Sequence, residues 1–210
     1  MSSTSFPEDM VAYVASRLVV GRIVLLWLAL SVCALIVSRE ISPAIVVFGA
    51  MLAAALIAQF RLWDDLADRD YDAILHPQRV LVATIHTRRF AYLCGLLALP
   101  VAVALGIGYG IGHLAVYGGL LAAMSVLYAA GGIALPRLLR AHLVLLKYPV
   151  FIWLCAQDAD PAQWVRVGVI VYLALSLLEL VSDSVLRRSV AWRGVLLFEA
   201  VALAALLILL

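Results

Sequence analysis

The sequence predicts an all-α integral membrane protein, built as a bundle of about seven transmembrane helices around a central chamber. Composition is the first observation behind this prediction, because 66% of the 210 residues are hydrophobic. The second is the length of the uncharged stretches, since a helix of roughly 20 apolar residues crosses a bilayer. Three stretches reach that length without a charged residue, at 41–60, 90–112 and 114–136.

The seven predicted spans follow one another as apolar stretches separated by charged or turn-forming segments. They lie at about 19–38, 41–60, 90–110, 113–133, 141–157, 164–181 and 190–210. The first span and the last three each carry an ionisable residue in or near the span, so hydropathy marks them less clearly than the other three. No long linker or low-complexity tract divides the chain, and residues 1–210 are therefore predicted to form one domain.

The distribution of Lys and Arg predicts that the N-terminus lies inside, because basic residues are retained in cytoplasmic loops. With this orientation only Arg39 and Arg166 of the fifteen basic residues fall outside. Three long connections then share the inner side, at 61–89, 131–147 and 182–193. Topology accounts for the basic residues, so no nucleic-acid partner is expected. The expected location is the bacterial inner (cytoplasmic) membrane, with the N-terminal segment retained since it lacks a signal-peptide pattern.

An aspartate-rich stretch, RLWDDLADRDYDAILHPQR, occupies residues 61–79, and five of the nine positions from 64 to 72 are aspartate. On a helix that turns about 100° per residue, Asp65, Asp68 and Asp72 share a stripe roughly 60° wide. Asp70 points to the opposite side. Pro77 is expected to end this helix, because proline cannot extend the hydrogen-bond ladder and disfavours helix at the residue before it.

Carboxylates spaced three and four apart repel one another, so this stripe predicts a bound cation. Mg²⁺ suits the pattern, because proteins usually hold it with one or two carboxylates together with water and substrate phosphate. The alternative is a solvated acidic segment whose charges pair with Arg61, Arg69 and Arg79.

A second acidic element favours the functional interpretation. Glu179 and Asp183 are four residues apart at the inner end of the sixth span, where a carboxylate is costly and usually functional. Basic residues on the same side could clamp the oxygens of a diphosphate; they are Arg79, Arg137, Arg140, Lys147 and Arg187. For Lys147, extension of the side chain to the inner membrane surface is an equal alternative. Glu199, in the middle of the last span, is expected to be neutral or paired with an inward-facing basic group.

The first motif resembles the signature of the UbiA-type intramembrane prenyltransferases. In that family an Asn or Asp precedes DxxDxxxD between helices 2 and 3, and a basic segment with proline follows. The matching residues here are Asp64, Asp65, Asp68, Asp72, Pro77 and Arg79. The family's second acidic motif is comparable with ELVSDSVLRR, and its basic segment between helices 4 and 5 with residues 128–149. The chain differs in having Arg187 where a further acid is usual and seven predicted spans instead of nine.

The resemblance implies an Mg²⁺-dependent transferase that moves a prenyl group from a prenyl diphosphate to an unidentified acceptor within the membrane. It implies metal ligands at Asp64, Asp65, Asp68, Asp72, Glu179 and Asp183, among which Asp65, Asp68, Asp72 and Asp183 are the catalytic candidates. The prenyl diphosphate would be held by Arg79, Arg137, Arg140, Lys147 and Arg187. Two alternatives remain open: a membrane terpene cyclase of the same type, and a non-catalytic protein that binds polyisoprenoid lipid. A bundle with fewer helices is also expected to be more open to lipid, or completed by a second copy of the chain.

Overall fold

A computed structural model describes residues 5–130, 135–183, 186–188 and 191–208. Almost all of these residues are helical, and no β-strand occurs among them, which confirms the all-α prediction. The elements in chain order are α1 (Phe6–Arg17), α2 (Gly21–Val37), α3 (Pro43–Ala67), α4 (Arg69–Leu75), α5 (Val80–Ala83), α6 (Thr87–Gly108), α7 (Ile111–Ala130), α8 (Arg137–Leu145), α9 (Lys147–Cys155), α10 (Pro161–Ser182), a 3₁₀ turn (Leu186–Arg188) and α11 (Trp192–Ile208).

Five helices in the described part of the chain are long and apolar enough to cross a membrane. They are α3, α6, α7, the segment Arg137–Cys155 formed by α8 and α9 together, and α10. Helices α1 and α2 are long and apolar enough to cross a membrane only when they are taken together, and the angle between them is 69°. The described chain therefore offers five membrane-length helices, or six when the bent pair is one span, and it is a membrane protein by this measure.

The first and last predicted spans correspond to α2 and α11. Each has 17 described residues, slightly fewer than the roughly 20 that cross a bilayer. Residues 190, 209 and 210 of the last span lie outside the described residues. The total of seven spans remains a prediction.

Local sequence explains where two of the longest helices begin. Ser42 precedes α3, and its hydroxyl accepts a hydrogen bond from the Ile45 amide at 3.3 Å. Asp160 precedes α10, and its carboxylate accepts from the amides of Ala162 and Gln163. Proline follows each cap at the first helical position, where its missing N–H costs nothing. These helices therefore start abruptly and at defined residues.

The predicted end of α4 before Pro77 is confirmed, and one helix boundary is corrected. Helix α4 ends at Leu75, two residues before Pro77. The glycine-rich stretch after α6 forms a turn, in which Gly110 has a positive φ of 87° that a side chain would disfavour. The fifth span, expected from 141, begins four residues earlier at Arg137. Arg137 and Arg140 thus lie on a helix and not in a connecting segment.

Contacts group the chain into two compact units. The first comprises Met1–Val32 and Ser42–Leu114, and the second comprises Cys33–Ile41 and Ala115–Leu210. In the first unit α3 packs along α6, while α1 lies against the short helix α5. In the second unit α10 packs against α8, α9 and α11. Each acidic motif therefore belongs to one unit, the first motif to α3 and α4 and the second to α10.

The connection before α3 and the acidic loop before α10 lie at the same end of the second unit. Ser38 and Ala159 form an isolated antiparallel bridge, and the Asp160 amide donates to the Val37 carbonyl at 3.1 Å. Arg39 lies 4.0 Å from Asp158 and from Asp160. These contacts hold the two connections together at one end of the second unit.

Candidate metal and substrate site

The first acidic motif is interrupted by a short break at Asp68. Helix α3 ends at Ala67 and α4 starts at Arg69, whereas Asp68 between them has φ −92° and ψ 5°. The prediction of one continuous helix through the motif is therefore wrong at this residue. Aspartate favours such positions because its side chain competes with the helical backbone bonds. Two i to i−4 hydrogen bonds nevertheless continue across the break, from the Asp68 amide to Asp64 and from the Asp72 amide to Asp68.

The five aspartates of the first motif differ in solvent exposure. Asp65 and Asp72 are buried, at 7% and 4% exposure. Asp64 and Asp68 are half-buried, and Asp70 is exposed. The stripe formed by Asp65, Asp68 and Asp72 is therefore buried at both ends, while its middle carboxylate, on Asp68, remains partly accessible.

Asp65 is held by side chains from two helices. Its carboxylate accepts a bidentate pair from Arg17 of α1, with Nε to Oδ2 at 2.9 Å and a second bond from Nη2 to Oδ1. The Tyr13 hydroxyl donates to the same Oδ2 at 2.9 Å. Arg61, one turn before Asp65 on α3, places its Nε 3.6 Å from Oδ2. Bidentate guanidinium–carboxylate pairs are among the stronger hydrogen-bonded contacts in proteins, so Asp65 is firmly oriented.

Tyr13 and Arg17 were not identified from the sequence. Both lie on α1, far along the chain from the motif, and no local spacing links them to Asp65. One sequence signal was present: Tyr13 and Arg17 are four residues apart, so a helix places both on one face, where a phenol and a guanidinium can bind the same carboxylate. That face of α1 adjoins the aromatic core, where the Tyr13 ring lies 5.6 Å from the ring of Phe90.

Asp72 is paired with Arg79, which the sequence had suggested as a diphosphate ligand. Arg79 Nη1 donates to Asp72 Oδ2 across the end of α4. Arg69, on the same short helix, donates from Nε to the Leu81 carbonyl at 2.9 Å. The loop after Pro77 is therefore fixed to α4 by two arginines, and the predicted basic segment lies directly beside the motif.

The residues present fit Mg²⁺ by the chemistry of their oxygens. Among the described residues no group of three or more His, Cys, Asp or Glu side chains is arranged to hold a metal ion. Mg²⁺ does not need such a group, since one or two carboxylates with water and phosphate oxygens suffice. Asp64 and Asp68 are half-buried, so these two are the carboxylates of the motif best placed to meet a hydrated ion. Asp65 and Asp72 already form ion pairs with Arg17 and Arg79.

The second acidic motif lies where α10 ends. Asp183 follows the last residue of α10, and Arg137 Nη2 of α8 donates to its Oδ2 at 2.9 Å. Its Oδ1 accepts from the Leu186 amide at 3.3 Å. Glu179 is exposed on α10, and Arg187 is exposed in the 3₁₀ turn. Residues 184 and 185 of this motif lie outside the described residues.

An apolar cavity of about 820 Å³ lies in the second unit between α7 and the α8–α9 segment. Its walls include Leu120, Met124 and Leu127 of α7 and Leu143 of α8. Lys147 is the charged residue of the lining, and it is 2% exposed. The Lys147 ammonium lies 5.4 Å from the centre of the Tyr148 ring. The alternative that the Lys147 side chain extends to the membrane surface is therefore wrong. Arg140, which was also predicted to bind diphosphate, is half-buried on α8.

The comparisons with known proteins add no family. No protein-family model, no curated protein and no solved structure matches this chain.

Proposed function

We propose that this protein is an Mg²⁺-dependent prenyltransferase of the UbiA type, with seven spans in the bacterial cytoplasmic membrane. The observation that carries the proposal is the position of the first motif at the end of the membrane-length helix α3. There, Asp64 and Asp68 are half-buried beside two carboxylates that arginines hold in place. Such a mixture of acidic and basic groups suits a metal–diphosphate headgroup next to a lipid-soluble tail.

The chain's own residues would do most of the work by binding and orienting the donor. Mg²⁺, when bound, supplies Lewis-acid stabilisation of the leaving diphosphate. Asp64 and Asp68 would hold the ion. The Arg17–Asp65 pair would keep the end of α3 rigid, and Arg79 would present its remaining N–H groups to a diphosphate oxygen. Within the second unit, Glu179 and Asp183 are proposed to bind metal, and Arg137, Arg140 and Arg187 are proposed to bind diphosphate.

The cavity beside Lys147 supports binding of a long apolar group with an anionic end. A volume of about 820 Å³ lies within the range that ligand-binding clefts span. Its lining includes one ammonium group, that of the buried Lys147, which can bind phosphate oxygens. A prenyl chain along α7, with its phosphate end toward Lys147, would satisfy both features.

A second candidate is non-catalytic binding of a polyisoprenoid lipid. The Arg17–Asp65 and Arg79–Asp72 ion pairs favour it, because they neutralise two carboxylates of the motif without a metal. Product analysis distinguishes the candidates. Membranes containing the protein are given Mg²⁺ and labelled prenyl diphosphates of several lengths. A prenylated acceptor supports the transferase, a cyclised hydrocarbon supports the membrane terpene cyclase, and retention of label without turnover supports lipid binding.

The orientation predicts a specific labelling pattern. On a background without Cys33, Cys94 and Cys155, a membrane-impermeant thiol reagent added from outside should react with Gln163→Cys and not with Asp70→Cys. Both positions are exposed, so accessibility within the fold does not limit either reaction. Reaction at Asp70→Cys in sealed cells, without reaction at Gln163→Cys, would reverse the topology and place the first acidic motif outside.

We expect Asp183→Ala to raise the Mg²⁺ concentration that half-saturates turnover more than it lowers the rate at saturating Mg²⁺. Arg187 replaces an acid in this motif, and Arg137 already pairs with Asp183, so the second site should contribute less charge than the first. Turnover measured across a Mg²⁺ titration tests this. Asp158→Asn, an exposed acidic position on the other end of the second unit, is the control and should leave the titration unchanged. Complete loss of turnover at every Mg²⁺ concentration would contradict the expectation.

A further inference from the structure

A buried polar cluster joins three helices of the second unit. Glu199 of α11 is 5% exposed, and its Oε1 lies 3.6 Å from Nδ1 of His142 on α8. The Tyr172 hydroxyl and the Ser176 Oγ, both on α10, lie 3.1 Å from the same nitrogen. A carboxyl group, a phenol and a hydroxyl therefore converge on one imidazole. The sequence had suggested only that Glu199 is neutral or faces a basic group, and His142 is that group.

One oxygen of Glu199 makes this cluster unusual. Its Oε2 is buried and has no hydrogen-bond partner among the described residues. An ionised carboxylate with one unpartnered oxygen is costly in apolar surroundings. Protonation of the carboxyl group removes that charge. The unpartnered oxygen is therefore the atom of the cluster that can carry an added proton.

The imidazole of His142 can adapt to either state of Glu199. With Nδ1 protonated, it donates toward a hydroxyl oxygen or the carboxylate. With Nδ1 unprotonated, it accepts from the Tyr172 or Ser176 hydroxyl, since hydroxyl groups both donate and accept. The cluster thus keeps its hydrogen-bond partners on Nδ1 when its charge changes.

The position of the cluster in the helices sets it apart from the acidic motifs. At about 1.5 Å per residue, Glu199, Ser176 and His142 each lie roughly 8 to 10 Å from the end of their helix. That end carries the Arg137–Asp183 pair. Two titratable groups face Glu199: His142 of α8 contacts it directly, and Tyr172 of α10 contacts His142. The other charged residues on α11, on α8, on α10 with its C-cap and on the 3₁₀ turn are Arg137, Arg140, Arg166, Glu179, Asp183, Arg187, Arg188 and Arg193.

We propose that Glu199 and His142 form a membrane-embedded proton-binding site. The Glu199 carboxyl group takes up and releases the proton, while the imidazole and the two α10 hydroxyls accommodate the change in charge. Ionisable residues that face the interior of a helical bundle commonly mark proton relays. The inference stands apart from prenyl transfer, since it uses none of the residues assigned to the donor.

An apolar carbodiimide tests the site, because it reacts with a carboxyl group that is protonated and accessible from the apolar phase. The carboxyl oxygen bonds to the central carbon of dicyclohexylcarbodiimide, the carboxyl proton moves to a nitrogen, and rearrangement gives a stable N-acylurea without a leaving group. The full-length protein in membranes is treated at a series of pH values, and peptides are analysed by mass spectrometry. We expect an adduct at Glu199 whose yield falls as the pH is raised. Glu199→Gln should abolish it.

His142 supplies the second readout. His142→Asn removes the ring nitrogen that can donate to the ionised Glu199 carboxylate, so the adduct should persist to higher pH than in the parent. If this variant does not accumulate in membranes, His142→Gln provides the same comparison. Three results would overturn the proposal: no adduct at Glu199 at about pH 5, an adduct that does not depend on pH, or an unchanged pH dependence in the His142 variant. Protection by Na⁺ at constant pH would also overturn it, because the ligand would then be a metal cation.

Discussion

Replacing Arg17 by alanine is expected to lower the free energy of unfolding by about 3 kcal/mol, because it leaves the Asp65 carboxylate buried without its main partner. The Arg17 side chain is 20% exposed and that of Asp65 is 9% exposed, so water screens the pair only weakly. Arg61 remains 3.6 Å away, but it lacks the bidentate geometry. Denaturant unfolding of the purified protein in detergent, followed by helical signal, measures the loss.

Arg22→Ala is the matched control, since Arg22 is an exposed arginine near the start of α2. Its unfolding midpoint should equal that of the parent. The double variant Arg17→Ala with Asp65→Ala should recover much of the lost stability, because removing both partners leaves no buried charge. A single variant Arg17→Ala as stable as the parent would show that Asp65 does not depend on Arg17.

The same substitution should leave α1 in place. Asp9 of α1 accepts a hydrogen bond from the Thr84 hydroxyl, and the Phe6 ring lies 5.2 Å from the Phe90 ring. These contacts do not involve Arg17. The expected loss is therefore confined to the charge on Asp65 and does not come from release of the helix.

Hydropathy predicted the described helices well because it reports a property that each segment carries by itself. A run of apolar residues long enough for a bilayer is visible in the sequence, and α3, α6 and α7 lie where such runs predicted them. The end of α4 before Pro77 was also predictable, since proline constrains the backbone locally. The break at Asp68 was not. It depends on a competition between one side chain and the backbone that helical periodicity ignores.

The partners of the acidic residues were the least predictable part of the candidate site. Arg17 and Asp65 are separated by 48 positions in the chain, and only packing of α1 beside α3 brings them together. The same holds for His142 and Glu199, which belong to different helices of the second unit. The sequence could indicate that each buried carboxylate needs a basic partner, because an isolated buried charge is unstable. Which arginine or histidine supplies it follows from the tertiary fold.

Asp68→Asn is expected to lower turnover about a hundredfold, if the proposed transferase activity is correct. Asp68 is half-buried at the break between α3 and α4, between two carboxylates that arginines already hold. Asparagine keeps the shape and one oxygen but removes the charge proposed to hold Mg²⁺ against the diphosphate. Removal of one preorganised electrostatic group commonly costs about 3 kcal/mol in the transition state, which is roughly a hundredfold in rate. Single-turnover transfer from a labelled prenyl diphosphate measures the loss.

Asp70→Asn is the internal control, because Asp70 lies two residues after Asp68 and is exposed on the other side of the motif. It should keep turnover within a few-fold of the parent. Folding should survive in both variants, since relieving carboxylate repulsion is neutral or mildly stabilising. An active Asp68→Asn beside an inactive Asp70→Asn would contradict the assignment of the metal to Asp68. Activity of both variants in the presence of a chelator would remove Mg²⁺ from the mechanism altogether, and the ion pairs of Asp65 and Asp72 would then be the sole role of this acidic segment that the structure supports.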